Sequence, residues 1–93
     1  MDRDDIESSL LRKGFILDEK GDHKYFHHII DGKRTGIRTK LSRGSKYKRL
    51  DATLQSQIKK QLKLDTSNDL RDLVNCPMSK DQYIQILQSK GLF

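Results

Sequence analysis

The sequence predicts an α+β domain in the order α-β-β-β-α, with a three-stranded antiparallel sheet and a helical extension at its C-terminal end. Two patterns and one turn predict it. Apolar residues four apart, Ile6 with Leu10 and then Leu54, Ile58 and Leu62, mark two amphipathic helices. Between them lies a run rich in aromatic and β-branched residues, followed by a stretch alternating apolar and basic side chains. Joining those two is Asp31-Gly32, a pair that favours the positive φ angles of a two-residue type I′ hairpin.

The first helix is expected over about 4–13, with Asp4 or Asp5 accepting from the open N–H groups of its first turn. Leu11 lies at the edge of its apolar face, and Gly14 stands where a left-handed cap ends a helix. Residues 15–17, Phe-Ile-Leu, read as a short strand and 19–22 as a turn. A second strand covers 23–30 and a third 35–41. In the third, Ile37, Thr39 and Leu41 alternate with Arg38 and Lys40, so one face meets the core and the other carries positive charge. Tyr25 and Phe26 point to opposite sides, so at least one of them belongs to the core. A polar loop with Gly44 covers 42–50, and Asp51 caps a second helix reaching about residue 63.

Residues 1–64 form the core by this reading, and 65–93 the extension, packed on the core or on a partner. Leu70, Leu73 and Val74 predict a short helix closed by Pro77. Ser79 and Gln82 have the spacing of a capping box, before an apolar face of Tyr83, Ile84 and Leu87.

In 93 residues with 33% hydrophobic and 34% charged content there is room for one modest core. The net charge of +6 is unevenly placed. Residues 20–49 hold ten basic against two acidic side chains, a net of +8, whereas residues 1–19 carry −3. Such a block favours a polyanion or an acidic partner protein. Cys76 is the only cysteine, so no internal disulfide can form, and a reducing cytoplasm is the expected location. The start, MDRDDIESSL, is too acidic for a signal peptide, and no apolar run is long enough to cross a membrane.

An A-form RNA duplex presents phosphates and 2′-hydroxyls across a shallow groove. Arg43, Lys46, Lys48 and Arg49 of the loop, with Lys59, Lys60 and Lys63 of the second helix, are candidates to bridge those phosphates. Tyr25, Phe26 and Tyr47 are candidates to stack on an unpaired base. The histidines do not make a metal site: His27 and His28 face opposite sides. His23 and His27 share a side but stand about 13 Å apart at a rise of about 3.3 Å per residue. Zinc ligands converge to about 2 Å from one point. GKRTG lacks the phosphate-loop spacing, and no cofactor signature is present.

The stretch LLRKGFILDEKGDHKYF, then DGKRTGIRTKLSRGSKYKRLDATLQSQIKKQL, resembles the HicA family of bacterial and archaeal toxins over about residues 6–64. In that family a first helix leads to a "KGF" turn, a "G-x-H" opens the second strand, and a hairpin and second helix complete a double-stranded-RNA-binding-like fold. The resemblance implies an mRNA-cleaving toxin blocked by a HicB-like antitoxin. By position, His23 matches the family's catalytic histidine and Gly21 the glycine before it. Asp22 stands where the family usually has serine, and residues 65–93 exceed the usual short toxin.

RNA can be cut without a metal when a base takes the 2′-OH proton, a role that imidazole suits. Lys24, Arg38 and Lys40 are candidates to stabilise charge on the phosphate; Asp22 adjoins His23, but neighbouring strand side chains point to opposite faces, so no orienting role is expected of it. Three hypotheses follow: an endoribonuclease using His23, a non-catalytic RNA-binding module, and an adaptor for an acidic partner protein.

Overall fold

The computed structural model describes residues 1–42, 49–75 and 78–92. Helix α1 (Arg3–Arg12) leads into strands β1 (Phe15–Lys20), β2 (His23–Ile30) and β3 (Lys33–Ser42). Helices α2 (Ala52–Gln61), α3 (Ser67–Asn75) and α4 (Lys80–Ser89) follow. The strands pair antiparallel in sequence order, β1-β2-β3. The expected α+β architecture, with its antiparallel sheet and C-terminal helices, is present.

Local chemistry sets the element ends. Asp31 and Gly32 take φ of +51° and +77°, as a type I′ hairpin requires. The first hairpin is tighter than expected: Lys20 pairs with His23, leaving only Gly21 and Asp22 in the turn. Gly21 has φ +57° at the first central position, where type II′ turns place glycine. The strand predicted over 15–17 therefore continues to Lys20. Helix α1 begins one residue earlier than expected, at Arg3. Its N-cap is Asp2, whose side chain makes no capping bond, so the roles expected of Asp4 and Asp5 are not taken. Asp51 does cap α2, accepting from the Leu54 N–H at 2.9 Å. The capping box of Ser79 and Gln82 is complete.

Helix α2 stops short of residue 63. The Lys63 N–H donates to the Lys60 carbonyl at 3.1 Å and the Leu64 N–H to that of Lys59 at 3.0 Å. This Schellman pairing needs a left-handed residue, and Lys63, at φ +64°, supplies it where glycine is usual.

The helices share one face of the sheet. Phe15 on β1, Phe26 and His28 on β2, and Ile37, Thr39 and Leu41 on β3 point into that layer and are buried. They join Ile6 and Leu10 of α1 and Ile58 of α2 in a core cluster that also holds Leu70, Leu73, Val74, Tyr83 and Leu87. Residues 65–92 thus bury their apolar faces directly on the first 64. Ser9 donates to the Val74 carbonyl, and the buried Lys13 ammonium to that of Met78. Tyr83 sits at the centre, 5.9 Å from the Phe15 ring and 5.3 Å from His28.

Strand β3 carries one irregularity. His27 pairs with Arg38 and Ile29 with Arg34, so His28 alone spans residues 35–37. Gly36, at φ +88°, sits inside this bulge. Alternation resumes on both sides with the same residues facing the core.

Candidate nucleic-acid interface

The opposite sheet face carries a ladder of rings. On β2, His23, Tyr25 and His27 are two residues apart and project to one side. The His23 and Tyr25 rings lie 6.3 Å apart, and Tyr25 and His27 6.4 Å apart with an interplanar angle of 22°. Tyr25 is half-buried and Phe26 fully buried, which resolves the expected division between them. Ile16, Asp18 and Lys20 of β1 lie on one flank of the ladder; Arg34, Arg38 and Lys40 of β3 lie on the other.

The cations are not equivalent. Asp18 gathers Lys20 at 3.6 Å and Arg34 at 4.0 Å, and stands 3.9 Å from His27. Arg38 and Lys40 are exposed and form no ion pair among the described residues. Burial, then the Arg34 guanidinium, hold the His27 imidazole below its ordinary range, and Asp18 pulls partly the other way. His27 is therefore a neutral ring at pH 7, buried under its neighbours, and the half-buried Tyr25 is the ring left accessible beside Arg38 and Lys40.

His23 stands where the ladder meets α2. It pairs with Ser42, and Tyr25 with Lys40. Lys40 is thus the diagonal neighbour of His23 on the same face, a separation of about 7–8 Å that a long side chain spans. Both line a cavity of about 260 Å³ closed by Leu41, Leu50, Leu54, Gln57, Ile58 and Gln61. Beside it, Tyr25, Arg38, Thr39, Lys40 and Gln61 line a second hollow. The buried Thr39 hydroxyl donates to Gln61 Oε1 at 2.5 Å and fixes that amide. Among the described residues no hydrogen bond joins Asp22 to His23.

The remaining expected residues are dispersed. Lys24 is on the helix side of the sheet, where Nζ meets Glu7 Oε1 at 2.9 Å. It lies off the open face because neighbours of His23 on a strand point the other way. Arg49 is exposed and pairs with Asp2 at 3.3 Å, next to an isolated bridge between the same residues. Lys60 and Lys63 are exposed and Lys59 half-buried at the C-terminal end of α2, the end where Gln61 meets Thr39. Arg43, Lys46, Tyr47 and Lys48 lie outside the described residues, as do Cys76 and Pro77. The second expected member of the histidine pair, His28, is a core residue. It is fully buried against Phe15 and Tyr83, with Nδ1 3.1 Å from Thr35 Oγ1.

Gln57 and Gln61 were not singled out by the sequence reading, and Thr39 only as a core-facing position. Their one signal is spacing: Gln57 and Gln61 are four apart on α2, beside the Leu54–Ile58 stripe. Only the docking of α2 on the β3 edge turns that into a cavity wall.

Searches against protein-family models, curated proteins and solved structures find no match to this chain. No helix among the described residues is long and apolar enough to cross a membrane.

Proposed function

We propose that the chain binds unpaired RNA on the open face of its sheet and cleaves it without a metal, with His23 as general base. The observation that carries this reading is the shared position of His23, Lys40 and the half-buried Tyr25 ring on the sheet face opposite the helices. A flat ring accepts any base by stacking, and exposed cations hold the adjoining phosphates. In the cleavage step His23 takes the 2′-OH proton as the oxygen attacks the adjacent phosphorus. A 2′,3′-cyclic phosphate forms, and the departing 5′-oxygen takes a proton from water or from the protonated His23. Lys40 and Arg38 neutralise charge growing on the non-bridging oxygens.

The α-β-β-β-α order of the first 64 residues and the place of His23 at the start of β2 support the HicA-like resemblance and its double-stranded-RNA-binding-like fold. On that reading the chain is an mRNA-cleaving toxin and its natural inhibitor is a HicB-like antitoxin. Its site of action would be the cytoplasm. A second reading, binding without cleavage, is favoured by one observation. Among the described residues no hydrogen bond to a carboxylate or carbonyl fixes the His23 ring, whereas catalytic bases are commonly oriented by such a group. An acidic protein on the same cations is the outcome if no RNA binds.

The test is incubation of labelled structured RNA in EDTA with wild type and His23→Ala. Cleavage by the wild type alone, leaving 2′,3′-cyclic ends, supports the nuclease reading. Equal binding by both with no cleavage removes it and leaves the binding module.

A further inference from the structure

We infer that the cavity between β3 and α2 is a specificity pocket for a single unstacked nucleobase, and that its donors select guanine. The inference rests on the RNA-binding reading above and names which base the site takes.

The cavity has the size and walls of a base site. At about 260 Å³ it falls just below the roughly 300–1,000 Å³ of pockets for drug-sized ligands. Its walls are Leu41, Leu50, Leu54 and Ile58, apolar side chains that can hold a flat ring on both faces. It opens beside His23 and Lys40, so a base seated in it keeps its own ribose and phosphate at the groups assigned to cleavage.

The polar groups on the wall decide which base fits. Gln57 and Gln61 lie one helical turn apart on α2 and both reach the cavity. An amide offers an acceptor and a donor and can turn either way; in this structure Gln61 is turned with its oxygen to Thr39. Its Oε1 accepts from the Thr39 hydroxyl, itself 2% exposed, and its NH₂ is the group that remains to donate to a ligand. Lys40 also lines the cavity, and its ammonium only donates. Donors need acceptors opposite them. Guanine places O6 and N7 side by side on one edge, the pair that basic and donor side chains read most often. Adenine sets its N6 donor beside N7, which would face these donors unpaired. Uracil interrupts its acceptors with N3–H, and cytosine sets O2 and N3 side by side but flanks N3 with its N4 donor. Gln57, which has no hydrogen-bond partner among the described residues, adapts to the neighbouring atom of the base.

Thr39 is thus a positioning residue: it sets the direction of the Gln61 amide and touches no ligand. Replacing Thr39 with valine keeps the shape and removes the bond, which frees the amide to present its oxygen.

The test titrates isotopically labelled full-length protein with 5′-GMP, 5′-AMP, 5′-CMP and 5′-UMP, following the Gln57 and Gln61 side-chain amides and the Leu50, Leu54 and Ile58 methyls. A base pocket predicts saturable shifts at these groups, with GMP binding about tenfold more tightly than the other three. Gln61→Leu brings GMP to the level of the others, and Thr39→Val lowers the guanine preference while both variants keep wild-type dispersion elsewhere. No GMP response at these groups, or equal responses to all four nucleotides, overturns the inference. Mononucleotides separate this result from the RNA reading: a GMP preference in wild type with no cleavage of RNA leaves the pocket standing and removes the nuclease alone. RNA cleavage with no GMP preference sinks the pocket alone.

Discussion

The hydroxyl of Tyr83 in α4 donates to the backbone carbonyl of Leu62 at the end of α2, at 2.8 Å and fully out of solvent. Burial pushes the Tyr83 phenol well above its ordinary range, so it stays protonated and able to donate. This one bond joins the last helix to the helix that bounds the candidate site. Tyr83→Phe keeps the ring against Phe15 and His28 but strands a buried carbonyl, and should cost about 1–2 kcal/mol. Tyr83→Ala also removes the ring and should cost about 3–5 kcal/mol. Urea denaturation of both variants separates the hydroxyl from the ring.

Acid should weaken the fold through His28. Burial, and then the charge of Lys80, hold its imidazole below the ordinary histidine value of 6.5. Between the folded and unfolded values the unfolded chain binds the extra proton. Stability is therefore whole above about pH 6.5 and falls as pH drops toward the folded-state value. His27 adds a contribution of the same sign. Denaturation midpoints measured from pH 7.5 to 5 should decline, and His28→Phe should flatten the decline to the part left by His27.

Lysines of like appearance in the sequence should behave oppositely. Lys24 is tied to Glu7, which also meets Arg3 at 3.6 Å, and these three side chains are largely buried. Lys24→Met should cost about 1–2 kcal/mol of stability by leaving the buried Glu7 carboxylate underpaired, with RNA affinity unchanged. Lys40→Met and Arg38→Met should barely move stability. Each should weaken RNA binding and reduce its log–log salt slope by about 0.7, the single-strand value per phosphate contact. Equal slopes for all three variants would remove the open face from the binding reading.

The contrast between Lys24 and Lys40 shows what the sequence discloses and what it conceals. Alternation in β3 announces that Ile37, Thr39 and Leu41 are core and that Arg38 and Lys40 are not, because period two is a property of the strand itself. The Asp31-Gly32 turn, the Asp51 cap and the Ser79 capping box are local too, and each forms as expected. Lys24 is harder. Its strand neighbours are aromatic or histidine on both sides, and only the presence of Glu7 across the layer explains a cation on the helix face. The cavity at His23 is harder still, since Leu41 of β3 and Leu54, Gln57 and Gln61 of α2 line it together through the angle at which α2 rests on β3. No periodicity along the chain encodes that angle.

Lys63 offers a gain of stability. Its φ of +64° is strained for a side-chain-bearing residue, and the Schellman bonds around it need only backbone. Lys63→Gly should raise stability by about 0.5–1 kcal/mol, the relief of strain being partly offset by a more flexible unfolded chain. A higher thermal midpoint with unchanged RNA affinity would also show that Lys63 is no phosphate contact.

The bulge at residues 35–37 compresses the charge of β3. In an unbroken ladder Arg34 and Arg38 would stand opposite positions four residues apart on β2, a span of about 13 Å. With His28 alone facing the bulge, they stand opposite Ile29 and His27, two positions or about 7 Å apart. Two guanidinium groups are thereby drawn to the His27 end of the ring ladder, where Asp18 lies within 4.0 Å of Arg34 and leaves Arg38 as the cation without an ion pair among the described residues. Gly36, at φ +88°, supplies the backbone turn on which this crowding depends; a side chain there would meet no neighbour, so it is the dihedral angle and not the space that calls for glycine.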